Sequence, residues 1–208
     1  MLWSFEERQG FFSKNKDLCN LWINMGFMSP KIIGSIPVIV RRAQQTHGKL
    51  TRESLGKFYL ASGDERKDIL SGHVLDKDSI DIQNGRTMDE LLKKSQDFAI
   101  MYSERFGKKL DTDVAENIMF INVFDNSFAY YKNLVETALL LKSKFCDMDI
   151  AVSKTDMFLN FGIDILVYKD DIIVKAIYMD YQDDGLIKQK HDSFERIYGV
   201  LPEPSNNF

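Results

Sequence analysis

Apolar residues recur at helical spacing through the first two thirds of the chain and change after Phe145 to alternating and continuous apolar runs. In LTRESLGKFYLASG, Thr51 stands as a helix cap ahead of Leu55, Phe58 and Tyr59, and the helix is predicted to end near Gly63. Upstream, Pro30 and Pro37 act as breakers, and Gly48 after the polar run Gln44 to His47 is a helix stop. Thr87 and Glu90 form a Thr-x-x-Glu capping box, in which each side chain bonds the other residue's backbone N–H. Leu91, Leu92, Phe98, Ala99 and Tyr102 follow at helical spacing, and Gly107 is a left-handed stop. A second helical region covers about Asp113 to Phe145, with a bend expected at Asp125-Asn126, both poor helix formers. Its stripe of Phe120, Phe124, Phe128, Tyr131, Val135 and Leu139 is assigned to the core.

The stretch FGIDILVYKDDIIVKAIYMD, Phe161 to Asp180, reads as a β-hairpin. With Lys169-Asp170 as a two-residue loop, Tyr168 faces Asp171, Leu166 faces Ile173, Ile165 faces Val174, and Asp164 faces Lys175. A loop one residue longer shifts that register. Both faces are largely apolar, as in a central strand pair covered by helices on two sides. Removing a carboxylate and an ammonium from water there costs several kcal/mol per ion before their attraction offsets it. Such a pair is read either as a buried salt bridge, or one whose charge reaches the sheet edge, or as part of a hydrolytic metal site.

Composition narrows the classes. At 208 residues, 44% hydrophobic and 28% charged, the chain suits a soluble globular protein. Cys19 and Cys146 show no metal spacing, and His47, His73 and His191 lie far apart, so a zinc site has little support. No apolar run approaches the roughly 20 residues of a membrane helix, and charge comes too early for a secretory signal, which predicts a cytoplasmic protein with no membrane partner. The net charge of -4 is uneven: Lys31 to Lys67 holds eight cations against three anions, +5 locally, leaving -9 elsewhere. That basic stretch is read either as a phosphate-contacting region or as a solvated helical surface. No Gly/Ser-rich linker divides the chain, so a mainly helical part, 1–112, and an α/β part, 113–208, are expected to form one compact unit.

Three features together resemble the PD-(D/E)XK nuclease superfamily, the fold of many restriction endonucleases: Glu136 in YKNLVETALLLKSKF, Asp164 in NFGIDILV and Lys175 in DIIVKAIY. The resemblance covers about Tyr130 to the C-terminus and rests on element order and spacing more than on any one motif. It implies an α/β (α+β) protein, a helical N-terminal part packed on a restriction-endonuclease-like αβββαβ core with a central mixed sheet. It also implies a Mg²⁺-dependent DNA endonuclease of the type II class, with Asp164, Glu136 and the Val174 carbonyl as metal ligands and Lys175 beside the attacking water. The departure is Ile173, where the family has an acid or Gln; Glu195 and Asp156 are further candidate acids. Arg41, Arg42, Arg52, Lys57 and Arg86 are the candidate contacts to double-stranded DNA. A homodimer matching a palindromic site and a cognate DNA methyltransferase complete the expected partners. The alternative is a noncatalytic DNA-binding protein on a decayed nuclease fold. A third reading is a helical interaction protein in which the Asp164–Lys175 pair is merely structural.

Overall fold

The computed structural model describes residues 2–25, 40, 41, 43, 44, 48–60, 88–179 and 185–207. They form two compact units, Met1–Ala129 and Tyr130–Phe208. The expectations at Pro30, Pro37, Gly63 and Thr87, together with Arg42 and Arg86, lie outside the described residues.

The first unit is helical. Its elements are α1 (Phe5–Lys14), α2 (Lys16–Asn24), α3 (Arg52–Leu60), α4 (Met88–Phe106) and α5 (Thr112–Phe120). Ser4 and Glu7 close a capping box at the start of α1. Thr51 caps α3 by accepting a hydrogen bond from the Ser54 N–H at 3.1 Å. Gly107, at φ +63°, follows the last turn of α4, and its N–H bonds the Ser103 carbonyl at 2.9 Å. Leu55, Phe58, Tyr59, Leu91, Phe98 and Ala99 are buried, as their spacing predicts. Trp22 of α2 meets Phe98 edge to face at 5.2 Å between ring centroids.

After α5 the chain makes one π-helical turn, Ile121–Asp125, and continues as α6 (Asn126–Lys144). The expected irregularity at Asp125-Asn126 is thus an i→i+5 segment. Within α6 the predicted core stripe drifts off the buried face, because Leu139 stands eight residues, about 80° around a regular helix, from Tyr131. Leu139 is 62% exposed, while Ser127, Tyr131, Leu134 and Leu141 take the buried positions. Asp125 itself is buried, and Arg8 donates to both its oxygens, at 2.7 Å and 3.0 Å, as well as to the Trp3 carbonyl. The planar fork satisfies a carboxylate that would otherwise be desolvated without compensation.

The second unit is built on a four-stranded sheet: β1 (Asp149–Val152), β2 (Ile165–Lys169), β3 (Ile172–Tyr178) and β4 (Pro202–Pro204), in that spatial order. The first three strands are antiparallel; β4 lies parallel to β3 after a crossover through α8 (Gly185–Tyr198). A short helix not anticipated from sequence, α7 (Thr155–Phe161), sits between β1 and β2 and ends at Gly162, φ +70°. β2 is an interior strand, and Ile165, Leu166 and Val167 are buried in succession. Ile165, Val167 and Ile177 pack with Leu134 and Leu141 of α6, whereas Leu166 and Ala176 pack with Ile163 and with Phe194 of α8. The sheet is thus covered by helices on both faces. At the edge, the prolines of β4 suit a strand that needs few ladder donors.

Asp125→Ala would leave the Arg8 guanidinium buried without its partner, and urea denaturation should register a loss of about 3–5 kcal/mol. A loss below about 1 kcal/mol would place the pair among weak, solvent-screened bridges.

Candidate functional site

The hairpin carries the candidate chemistry, and its turn differs from expectation. Lys169 pairs with Ile172, so the loop is Asp170-Asp171 rather than Lys169-Asp170. Both loop residues have positive φ, 51° and 62°, the conformation of a type I′ turn matching strand twist. This change alone moves the pairing by two positions and leaves faces unaltered. A second irregularity does alter them. The register shifts between Val167 and Tyr168, whose partners are Lys175 and Ile173, so Val174 is an extra, bulged residue.

One extra residue exchanges the two faces of everything beyond it. Leu166 is therefore opposite Ala176, Ile165 opposite Ile177, and Lys175 opposite Val167. The expected Asp164–Lys175 pair does not form. Lys175 stands on the Ile165–Val167–Ile177 face, 5.8 Å from the centroid of the Phe145 ring. Its Nζ donates to Glu203 Oε1 at 3.0 Å, both side chains about one-third exposed. Glu203 comes from β4, where parallel pairing sets it beside Ile177. Sequence spacing held no sign of this partner, because the contact depends on the crossover through α8.

Asp164 is fully buried at the start of β2. Its backbone N–H bonds the Ile177 carbonyl at 2.9 Å, and its carbonyl accepts from the Ser153 N–H at 2.8 Å. One carboxylate oxygen accepts from the Tyr130 hydroxyl at 2.5 Å, the other from the Met179 N–H at 2.7 Å. A desolvated carboxylate survives by such donors, and here they come from α6 and from the end of β3. His191 of α8 lies in the same neighbourhood. Its ring packs on Tyr178 at 4.4 Å between centroids, and its buried Nε2 makes no hydrogen bond. A Cβ built on Gly162 would come within 3.6 Å of that nitrogen. Burial lowers the imidazole pKa from 6.5 and Lys190 lowers it further, against the opposing pull of Asp164 and Asp192.

The other expected site residues are dispersed. Glu136 is exposed on α6 and pairs with Lys132 at 3.4 Å across a helical turn, a bridge of little energetic weight. Asp156 on α7 and Glu195 on α8 are exposed. Val174 is 37% exposed at the bulge, and Ile173 packs against the α8-side cluster. Of the implied Mg²⁺ ligands, Asp164 is buried with both carboxylate oxygens hydrogen-bonded, Glu136 is exposed beside Lys132, and Val174 is part-exposed. Among the described residues no group of three His, Cys, Asp or Glu side chains could hold a metal ion. Cys19, pushed up to about 11 by burial, is no nucleophile at neutral pH.

Of the expected DNA contacts, Arg41 is 2% exposed and so belongs to the interior of the first unit rather than to its surface. Lys57 is exposed and paired with Glu53 at 2.8 Å. Arg52 is exposed and stacks on Phe5 and Phe128. No helix among the described residues is long and apolar enough to cross a membrane. Comparisons of the chain with family models, with curated proteins and with solved structures found no match.

Tyr130→Phe removes one donor from a buried carboxylate and should cost about 1.5–3 kcal/mol in chemical denaturation; no measurable change would show that Asp164 does not depend on it. His191, neutral when folded, gives a pH signature. Stability holds above the unfolded-state pKa near 6.5 and declines as pH falls below it toward the lower folded-state value. Denaturation midpoints of wild type and His191→Gln from pH 8 to 5 should diverge in that window; parallel curves would contradict it.

Proposed function

We propose that this chain is a magnesium-dependent DNA endonuclease of the type II restriction class, hydrolysing phosphodiester bonds in double-stranded DNA. The observation that carries the reading is the order and sense of the sheet. α6 leads into an antiparallel β1–β2–β3 meander, then α8 returns the chain as β4 parallel to β3, with an acid at the start of the second strand and a lysine in the third. That order resembles the helix, strand, strand, strand, helix, strand order of the PD-(D/E)XK superfamily, with α7 as an addition. Action as a homodimer in the cytoplasm, alongside a cognate methyltransferase, belongs to the same proposal.

A second reading, a noncatalytic DNA-binding protein on a nuclease-like fold, is favoured by Asp164 itself. Its carboxylate is buried with both oxygens engaged, and Lys175 is turned to Glu203. The readings differ in one physical demand. Cleavage requires that Asp164 be uncovered when DNA binds, or that Glu203 serve as the acid beside Lys175. Noncatalytic binding requires neither.

Plasmid DNA incubated with the protein and Mg²⁺, then with EDTA, separates them. The endonuclease reading expects discrete fragments only with Mg²⁺, and a loss of about 100-fold or more in Lys175→Ala and in either Asp164→Asn or Glu203→Gln. Retarded but intact DNA would establish the second reading, and neither binding nor cleavage would remove both.

A further inference from the structure

Arg52 is the first residue of α3, and its guanidinium carbon lies 3.3 Å from the centroid of the Phe5 ring and 5.0 Å from that of Phe128. The rings come from α1 and from the first turn of α6, so three elements of the first unit converge on one side chain. Arg52 nevertheless remains exposed. Among the described residues it enters no ion pair and makes no side-chain hydrogen bond. Of the other cations of the same unit, Arg8 is bound to Asp125 and Arg41 is buried, while Lys57 makes an exposed pair with Glu53.

Stacking acts on the faces of the guanidinium and leaves its edge. The five N–H donors lie in the plane of the group, so rings above it restrain its rotamers without occupying a donor. A long side chain ordinarily loses rotamer entropy when it grips a ligand, and here much of that ordering exists beforehand. The planar fork matches two oxygens of a phosphate, and no carboxylate among the described residues fills it. The nearest acid in sequence, Glu53, is held by Lys57. The surrounding stretch carries a net +5, which favours an anion that belongs to a polyanion.

We propose that Arg52, held between Phe5 and Phe128, is a preorganised binding site for the phosphodiester group of a nucleic-acid backbone, with the two rings as positioning residues. The nucleic-acid part of this inference rests on the DNA reading above, whereas the phosphate site stands on its own geometry. Contact of this kind carries no base preference.

Two measurements on the full chain test it. In the first, the Nε–Hε resonance of Arg52 is followed by NMR during titration with inorganic phosphate, and with acetate at matched ionic strength. A saturable shift with phosphate, absent with acetate, is expected on this resonance, which the loss of the signal in Arg52→Ala assigns. Phe5→Leu and Phe128→Leu, which keep the Arg52 resonance, should weaken the shift. In the second, affinity for a DNA duplex is measured against salt. Arg52→Ala should lower the logarithmic salt slope by about 0.9, one phosphate contact, while Arg52→Lys and the two Phe variants keep the slope. No phosphate shift in the wild type, or an equal shift with acetate, overturns the site. DNA binding with an unchanged slope in Arg52→Ala overturns the backbone contact and leaves the DNA reading intact. A phosphate shift without DNA binding keeps the anion site and removes both the backbone assignment and the DNA reading.

Discussion

The carboxylate of Asp164 is the constraint on which the second unit depends. It is a charge-bearing group with no exposure, and it is tolerated because Tyr130 and the Met179 N–H supply donors while its own backbone joins β2 to Ile177 and to Ser153. Those four contacts gather α6, the end of β3 and the segment after β1 around one residue. Removing the donors would leave a penalty of several kcal/mol at the point where the sheet meets its helices. The same arrangement that steadies the fold also closes the group to solvent, so structural and catalytic uses of Asp164 compete for one carboxylate.

A single bulged residue then decides what Lys175 can do. Without Val174 as the extra position, Lys175 would share a face with Asp164; with it, the lysine moves to the α6 side and finds Glu203 on β4. The outcome is two separate charged sites in place of one. One is buried and held by neutral donors, and the other is a part-exposed acid–lysine pair at the sheet edge. In the first unit the polar interior follows a comparable logic, with Arg8 and Asp125 matched around the π-helical turn.

Local chemistry made much of the fold legible. The Thr51 cap, the Gly107 stop and the buried Leu55, Phe58, Phe98 and Ala99 follow from residue type and helical period. The hairpin, too, was readable from its two apolar runs, as was the burial of Ile165, Leu166 and Val167 in β2. What sequence reasoning missed has a common cause. The bulge at Val174 and the meeting of Lys175 with Glu203 are settled by pairing between segments distant in sequence. No local rule sets which strand residue is left over, or which strand a crossover helix delivers alongside. The stripe extended to Leu139 failed for a simpler reason: its four-residue steps drift around the helix and leave the buried face. Arg41 is the instructive case for charge: a cation in a basic stretch is read as surface, yet its side chain is buried.

Amide hydrogen exchange at Met179 tests the role of Asp164 most directly. If the carboxylate holds that N–H, Asp164→Ala should accelerate exchange at Met179 by about 10–100-fold, the weight of a hydrogen bond to a charged group, while the Val167 amide in the middle of β2 changes far less. Equal exchange at Met179 in the two proteins would contradict the account, because the end of β3 would then be held without Asp164.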